Sequence, residues 1–309
     1  MKKSTYILRS VQNAIRFTQA SKRSLILPAG WTNSDANTEF RHNQFFNNLN
    51  SKKRLIQAFF CIWVAFSQQP VESEVLCESS EFDSLTSVSH IIDGDTFITT
   101  DNTHVRLLGI DTPEIDYETN NHEPGAVNAR ALLIQFLSQA NQIGLVFDKE
   151  SRDQYGRTLA HVFLVNGTNL QAELIKSGYA VPYTFPPNLM FTDCYYALAQ
   201  TARNNNQGVW NYSAFQQINA SELKPSDKGF RIIAGKIAEI HKSKRSLILE
   251  LNQNLRIFIL NKNLKYFEHM NLQDLLGKSI GVYGKISYRA NVFWLQLRHP
   301  YDLIIEPSM

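Results

Sequence analysis

A chain of 309 residues, 43% of them hydrophobic, is long enough for two domains and apolar enough to pack a core in each, which excludes a chain without a folded interior. The net charge of +3 is small but unevenly spread, and the spread says more than the total. Residues 1–67 hold ten Lys/Arg against two Asp/Glu (+8), residues 68–227 hold eight against twenty (−12), and residues 228–309 hold thirteen against six (+7).

Residues 1–50 are polar and Asn-rich, with no clear period. Ser51-Lys52-Lys53-Arg54 then precedes the run 55–66, which is apolar except for Gln57. A basic stretch followed by a short apolar one predicts a secretory signal, with cleavage after Ser67 behind the small residues Ala65 and Ser67. The run is too short to span a membrane comfortably. The expectation is an export segment at 1–67 with its apolar region at 55–66, and a short mature N-terminal segment at 68–84. The protein would be exported, periplasmic or secreted, with no membrane association in the mature form. The basic stretch lies fifty residues from Met1, so the working start is expected downstream; with no Met between Met1 and Leu55 it would be a non-AUG start. Cys61 falls inside the signal, and Cys77 with Cys194 leaves an even count that permits one disulfide. Residues 21–27 recur as 243–249, an identity too short to define a repeat.

The stretch 92–114 reads IDGDTFITTDNTHVRLLGIDTPE. Val88, Ile91 and Ile92 lead into an Asp93-Gly94-Asp95 corner, Phe97 and Ile98 leave it, Asn102-Thr103 turns, and 105–110 returns. This predicts a three-stranded meander with polar turns. It carries Asp93, Asp95, Arg106, Asp111 and Glu114 at its strand ends, where side chains are held more precisely than on loops. Carboxylate oxygens suit a hard cation, Ca²⁺ or Mg²⁺. His104 stands alone in its turn, so Zn²⁺ is not favoured. A guanidinium beside a hard cation clamps a phosphate oxygen, and Glu114, three residues beyond Asp111, could take a proton from water. The set is a template for metal-assisted attack on a phosphodiester. Taken singly, Asp-Gly is a hairpin signal, Arg106 a solvated strand residue and Thr-Pro-Glu a helix start. Packing alone, however, has no use for acids clustered around one strand end.

Residues 114–123 read as a polar loop, and Pro124-Gly125 opens a helix to about 140 whose buried face would be Val127, Ala131, Ile134 and Leu137 or Leu133. Strands follow at 143–148 and 158–165, joined by the 149–157 turn. Asn169 caps a helix to Ser177 that Gly178 ends, and a last helix covers 193–205. Five strands with a helix after the third is the OB-fold order, giving a domain at 85–212. A polar linker at 213–228 contains Pro225. Strands at 231–240, 246–251, 255–260, 279–288 and 292–297, with a helical 264–276, repeat that order in a second domain at 229–307 that lacks the acids. Its +7 charge with Tyr288, Phe293 and Trp294 suggests a face for a single nucleic-acid strand, which the −12 segment would otherwise repel. The bland alternative is a packing or dimerisation module.

Three motifs stand in order: Asp93-Gly94-Asp95-Thr96, then Arg106-Leu107-Leu108-Gly109-Ile110-Asp111-Thr112-Pro113-Glu114, then Asp153-Gln154-Tyr155-Gly156-Arg157-Thr158-Leu159-Ala160. With them the segment 85–212 resembles the thermonuclease (staphylococcal, or micrococcal, nuclease) family. The resemblance implies a mainly β fold with helices, a nuclease-type OB barrel here followed by a second OB-like barrel. It implies Ca²⁺ held by Asp95, Asp111 and the backbone carbonyl of Thr112, with Asp93 in the outer shell. Glu114 would be the general base, and Arg106 and Arg157 would grip the scissile phosphate, with Arg157 nearest the leaving oxygen. Tyr155, Tyr183 and Phe185 would contact substrate, Tyr183 and Phe185 by stacking. The chain departs from the family at Gln154, where a basic residue is common, and at Phe185, where a second tyrosine is common. The expected function is a Ca²⁺-dependent, largely sequence-nonspecific endonuclease of DNA and RNA, acting as a monomer on single-stranded or locally opened duplex and leaving 3′-phosphate ends. The competing reading is a catalytically silent nucleic-acid-binding protein with tandem OB domains; a protein-interaction module is a weaker third.

Overall fold

In the computed structural model the described residues are 77–304 apart from 139, 228 and 253, so the export segment expected at 1–67 lies outside them. Strand patterning is clearest in β12 (Leu255–Leu260), where Leu255, Ile257 and Ile259 are fully buried and alternate with half-exposed residues. Period-2 burial of this kind commits one strand face to a core.

The first barrel is built from β1 (Ser84–Thr86), β2 (Val88–Ile91), β3 (Thr96–Thr99), β4 (His104–Leu107), β6 (Ile143–Val146) and β7 (Thr158–Leu164), with β5 (Ile110–Asp111) between β4 and β6. The hydrogen-bonded order is β1-β6-β7-β4-β3-β2. β1 and β2 are separated only by Ser87, so one bent stretch of chain pairs with β6 and then with β3 and joins the two edges of the sheet. β4 and β7 run parallel, and the other neighbours antiparallel.

The second barrel repeats this plan with β10 (Gly229–Lys242), β11 (Ser246–Leu251), β12, β13 (Ser279–Arg289) and β14 (Val292–Gln296). β10, β11, β12, β14 and β13 are neighbours in that order, and β13 pairs back to β10 to close five strands. β12 and β14 are the parallel pair, matching β4 and β7. The fold class read from the sequence is therefore found: mainly β, with two barrels and a few helices. A short β15 (Leu303–Ile304) adds to β13.

Three details depart from expectation. The helix α1 (Ala126–Leu137) buries Ala126, Ala129, Leu133 and Leu137, leaving Val127 and Ile134 exposed. The face is turned because the Gly94 corner packs directly on Ala129, a contact only a small side chain allows. The region 264–276 forms two 3-10 turns, Asn261–Phe267 and Leu272–Leu275, and no α-helix. Asn271 between them is extended and accepts from Gln273 N, which restarts the turn. The expected linker is ordered: β9 (Gln217–Asn219) runs parallel to β10 as an edge strand.

Behind the first barrel, α2 (Leu170–Lys176) is capped by the Asn169 side chain on Ala172 N, β8 (Val181–Pro182) pairs with β5, and α3 (Thr192–Asn204) follows. A disulfide joins Cys77 to Cys194 on α3, both buried. Outward-facing residues of the second barrel, Phe230 and Ile232, belong to the first barrel's core cluster, and Tyr283 packs against it. Tyr196 on α3 stacks on Tyr301 at 4.9 Å, and Phe215 on Phe230 at 5.7 Å. This packing sets the second barrel against the strand ends where the acids lie.

Candidate active site

The Asp93-Gly94-Asp95 corner stands where the chain turns from β2 into β3. A Cβ on Gly94 would lie 2.7 Å from Ala129 Cβ and 2.9 Å from Thr112 Oγ1, so the corner is pressed against both α1 and the segment after β5. This close approach needs a glycine. It brings Asp95 to Thr112, whose backbone N–H and hydroxyl donate to Asp95 Oδ2 at 2.9 and 3.1 Å. Asp95 N in turn donates to Asp93 Oδ1 at 3.0 Å.

Arg106 on β4 points along the same end of the barrel. Its Nη2 lies 3.0 Å from Asp95 Oδ2 and 3.1 Å from Asp111 Oδ1, and its Nη1 donates to Leu107 O at 2.9 Å. Asp95 and Asp111 are both buried. Burial raises Asp111 to about 6, a rise that Asp95 reinforces while Lys285 and Arg106 oppose it. Burial, with Asp95 next to it, raises Asp93 to about 7. A buried pocket of mutually repelling carboxylates gains from positive charge.

Asp95 and Asp111 offer hard oxygen donors that each lie about 3 Å from the same guanidinium nitrogen, a position of positive charge between them. Among the described residues, no three His, Cys, Asp or Glu side chains gather tightly enough to hold an ion by themselves. A hard cation bound here would thus draw on Asp95, Asp111, the Thr112 carbonyl and further oxygens from water or substrate. The donor chemistry fits Ca²⁺, whose shell tolerates several such ligands.

Glu114 follows on an exposed loop, its side chain 58% exposed and open to water. Its backbone N–H donates to Glu123 Oε2 at 3.0 Å, and Glu123 N–H returns a bond to Glu114 O at 3.1 Å, which closes the 114–123 loop. Arg157 sits across the site at the start of β7. Its Nε donates to Asp153 Oδ2 at 2.7 Å and its guanidinium lies 5.7 Å from the Tyr155 ring centre. Tyr183 follows β8, and Phe185 packs edge-on against it at 5.0 Å. The catalytic, cation-binding and substrate-contact residues expected from the segment 85–212, other than Thr112, line one cleft of about 630 Å³.

The cleft also holds residues that sequence reading did not single out. Lys285 on β13 places Nζ 3.0 Å from Asp111 Oδ1 and 3.3 Å from Glu114 Oε1. Burial works against the Lys285 ammonium, yet Asp111 and Glu114 more than offset it and hold its pKa above the ordinary value. Arg298 lies over the Tyr183 ring at 4.8 Å and over Phe185 at 4.5 Å. The available signal was thin: the +7 charge of 228–309, and the alternation Tyr283, Lys285 on the outward face of β13. Of the proposed stacking face, Phe293 is buried in the second core and Trp294 is covered by Arg289 at 4.6 Å and Arg256 at 5.4 Å.

A family model described as a staphylococcal nuclease homologue matches residues 104–212. The Staphylococcus intermedius thermonuclease is 34% identical over 126 residues, covering 40% of this chain and 74% of that protein. The chain belongs to the staphylococcal nuclease family. The SPbeta prophage-derived endonuclease YokF of Bacillus subtilis is 32% identical over 134 residues, 42% of this chain and 45% of that protein. The uncharacterized protein MJ1439 of Methanocaldococcus jannaschii is 32% identical over 149 residues, 41% of this chain and 71% of that protein. Each match covers under half of this chain, and the family-model match ends at residue 212, before β10 begins. In a staphylococcal nuclease family member, the Arg106 bridge between Asp95 and Asp111 is the centre of the nuclease barrel's acidic end.

Proposed function

We propose that this chain is an exported, Ca²⁺-dependent endonuclease that hydrolyses DNA and RNA with little sequence preference. The observation that carries the reading is the bridging of buried Asp95 and Asp111 by one Arg106 nitrogen, with Glu114 and Arg157 opening onto the same cleft. Calcium, when bound, supplies charge neutralisation for a phosphoryl oxygen. Glu114 takes the proton of the attacking water as its oxygen bonds to phosphorus. The bond to the 5′ oxygen breaks, leaving a 3′-phosphate. Arg106 holds the phosphate, and Arg157 stands toward the leaving oxygen to stabilise its developing charge. Phosphate contacts of this kind carry no base information, which accounts for weak sequence preference. The cleft takes a splayed single strand or a locally opened duplex, and the chain acts as a monomer. The relatives named as thermonuclease and endonuclease support the activity. The Cys77–Cys194 disulfide and the signal-like stretch 51–67 support export to an oxidising compartment.

The test is hydrolysis of single-stranded DNA in Ca²⁺, Mg²⁺ and EDTA. Cleavage is expected in Ca²⁺ and not in EDTA. Glu114→Gln is expected to lower kcat by about 10²–10⁴-fold, the range for removing a general base, and Arg157→Ala by about 10²–10³-fold. Retained DNA binding without cleavage in Ca²⁺ would favour the silent nucleic-acid-binding protein.

A further inference from the structure

The cleft has two walls, and they come from different barrels. One carries Asp95, Arg106, Asp111 and Glu114. The other carries Lys285 and Arg298, with Lys262 beside them. Arg298 is held firmly. Its backbone N–H donates to Asp302 Oδ2 at 3.1 Å, and buried Asp302 accepts from the Tyr196 hydroxyl at 2.6 Å. The guanidinium faces Tyr183 and Phe185, and its Nη1 makes a long 3.4 Å bond to Gln296 O. A guanidinium carries a planar N–H fork, the geometry that takes a phosphate with two parallel hydrogen bonds. Lys285 stands on the carboxylate side of Tyr183, 5.8 Å from the ring centre. The positions where a cation and a hydroxyl were expected hold Gln154 and Phe185, and the second barrel brings cations to that side of the cleft.

We propose that Lys285 and Arg298 are substrate-binding residues that grip a phosphate flanking the scissile one, which Arg106 and Arg157 hold, so that the nuclease cleft is a composite of both barrels. The proposal rests on reading the cleft as a phosphodiester site. It gives Arg298 the ring faces of Tyr183 and Phe185 that base stacking would use, so this wall favours phosphate over base.

The test is binding of a fluorescent single-stranded oligonucleotide to the full chain in EDTA, followed across a salt series, with cleavage in Ca²⁺ measured in parallel. Each lost phosphate contact reduces the slope of log affinity against log salt by about 0.7 for single strands. Arg298→Gln and Lys285→Gln are each expected to weaken binding several-fold at moderate salt and to lose about that much slope. Arg298→Lys keeps the slope, which a purely structural role would not require. Lys278, exposed and outside the cleft, serves as the control, and Lys278→Gln is expected to behave as the parent. Parental slopes in both cleft variants, or an equal loss in the control, would overturn the composite site. Absence of cleavage by the parent, with the slope losses intact, would instead overturn only the endonuclease reading.

Discussion

Arg106 shares one nitrogen between two buried carboxylates and fixes its other arm on Leu107 O, so its planar fork does what a single ammonium cannot. Arg106→Lys is expected to retain the fold by circular dichroism and to lower kcat/KM by about 10²–10³-fold. His161 on β7 tests the core in a different way. Its Nδ1 lies 2.9 Å from the Tyr195 hydroxyl, and its buried Nε2 has no protein partner. Burial lowers its pKa from 6.5 to about 4. Between those values the unfolded chain binds the extra proton, so the neutral imidazole contributes stability above pH 6.5 that is lost as pH falls toward 4. At about 1.4 kcal/mol per unit, the loss approaches ~3 kcal/mol. His161→Gln should flatten that part of the stability–pH curve in urea titrations. An unchanged curve would count against it. At this scale the acids, Arg106 and Arg157 were legible because they crowd three short motifs. Lys285 was not, because it is 171 residues from Glu114 in sequence and only the packing of one barrel on the other brings the two together.

Elements were legible where a period was strong and misread where a small residue decided the packing. The strands of both barrels appeared as alternating runs, and β12 shows why: its buried positions never break step. The α1 face departs from the one that hydrophobic size predicts because close approach decides it. Ala129, small and unremarkable in sequence, is the residue the Asp93-Gly94-Asp95 corner rests on, and larger Val127 and Ile134 face outward. Gly94→Ala is accordingly expected to cost about 1–3 kcal/mol through overpacking and to lower kcat/KM by displacing Asp95 and Thr112. Ala129→Gly added to it should recover part of both, read by denaturant midpoint and kinetics. If the second change recovers nothing, the contact is not the cause. The disulfide staples the segment before β1 to α3 across 117 residues. Reducing it is expected to cost about 2–5 kcal/mol, measured as a fall in Tm with reductant.

For the whole molecule, the sequence suggested two domains on a string, and the structure joins them. Phe230 and Ile232 of β10 sit in the first barrel's core cluster, and the 213–228 segment contributes β9 to the second barrel's sheet. Boundaries of this kind leave no sequence trace, since a strand whose two faces serve two cores looks like any well-buried strand. Cores that share side chains melt together, so a single calorimetric transition is expected; two resolved transitions would refute the coupling. Removing residues 228–309 would strip apolar cover from the first core, so truncation is expected to lose the cooperative transition. Point variants such as Arg298→Gln are therefore the sound way to ask what the second barrel does for the cleft.

The reach of Lys285 into the acidic corner also sets an order in time. Synthesis delivers Asp93, Asp95, Asp111 and Glu114 long before Lys285 and Arg298, which lie near the end of the chain. A chain still on the ribosome therefore carries the carboxylates with Arg106 between them and without the cations of the second barrel. The complete cleft forms only once the second barrel has been made and has folded back, so a chain that stops short of it has the acidic wall alone.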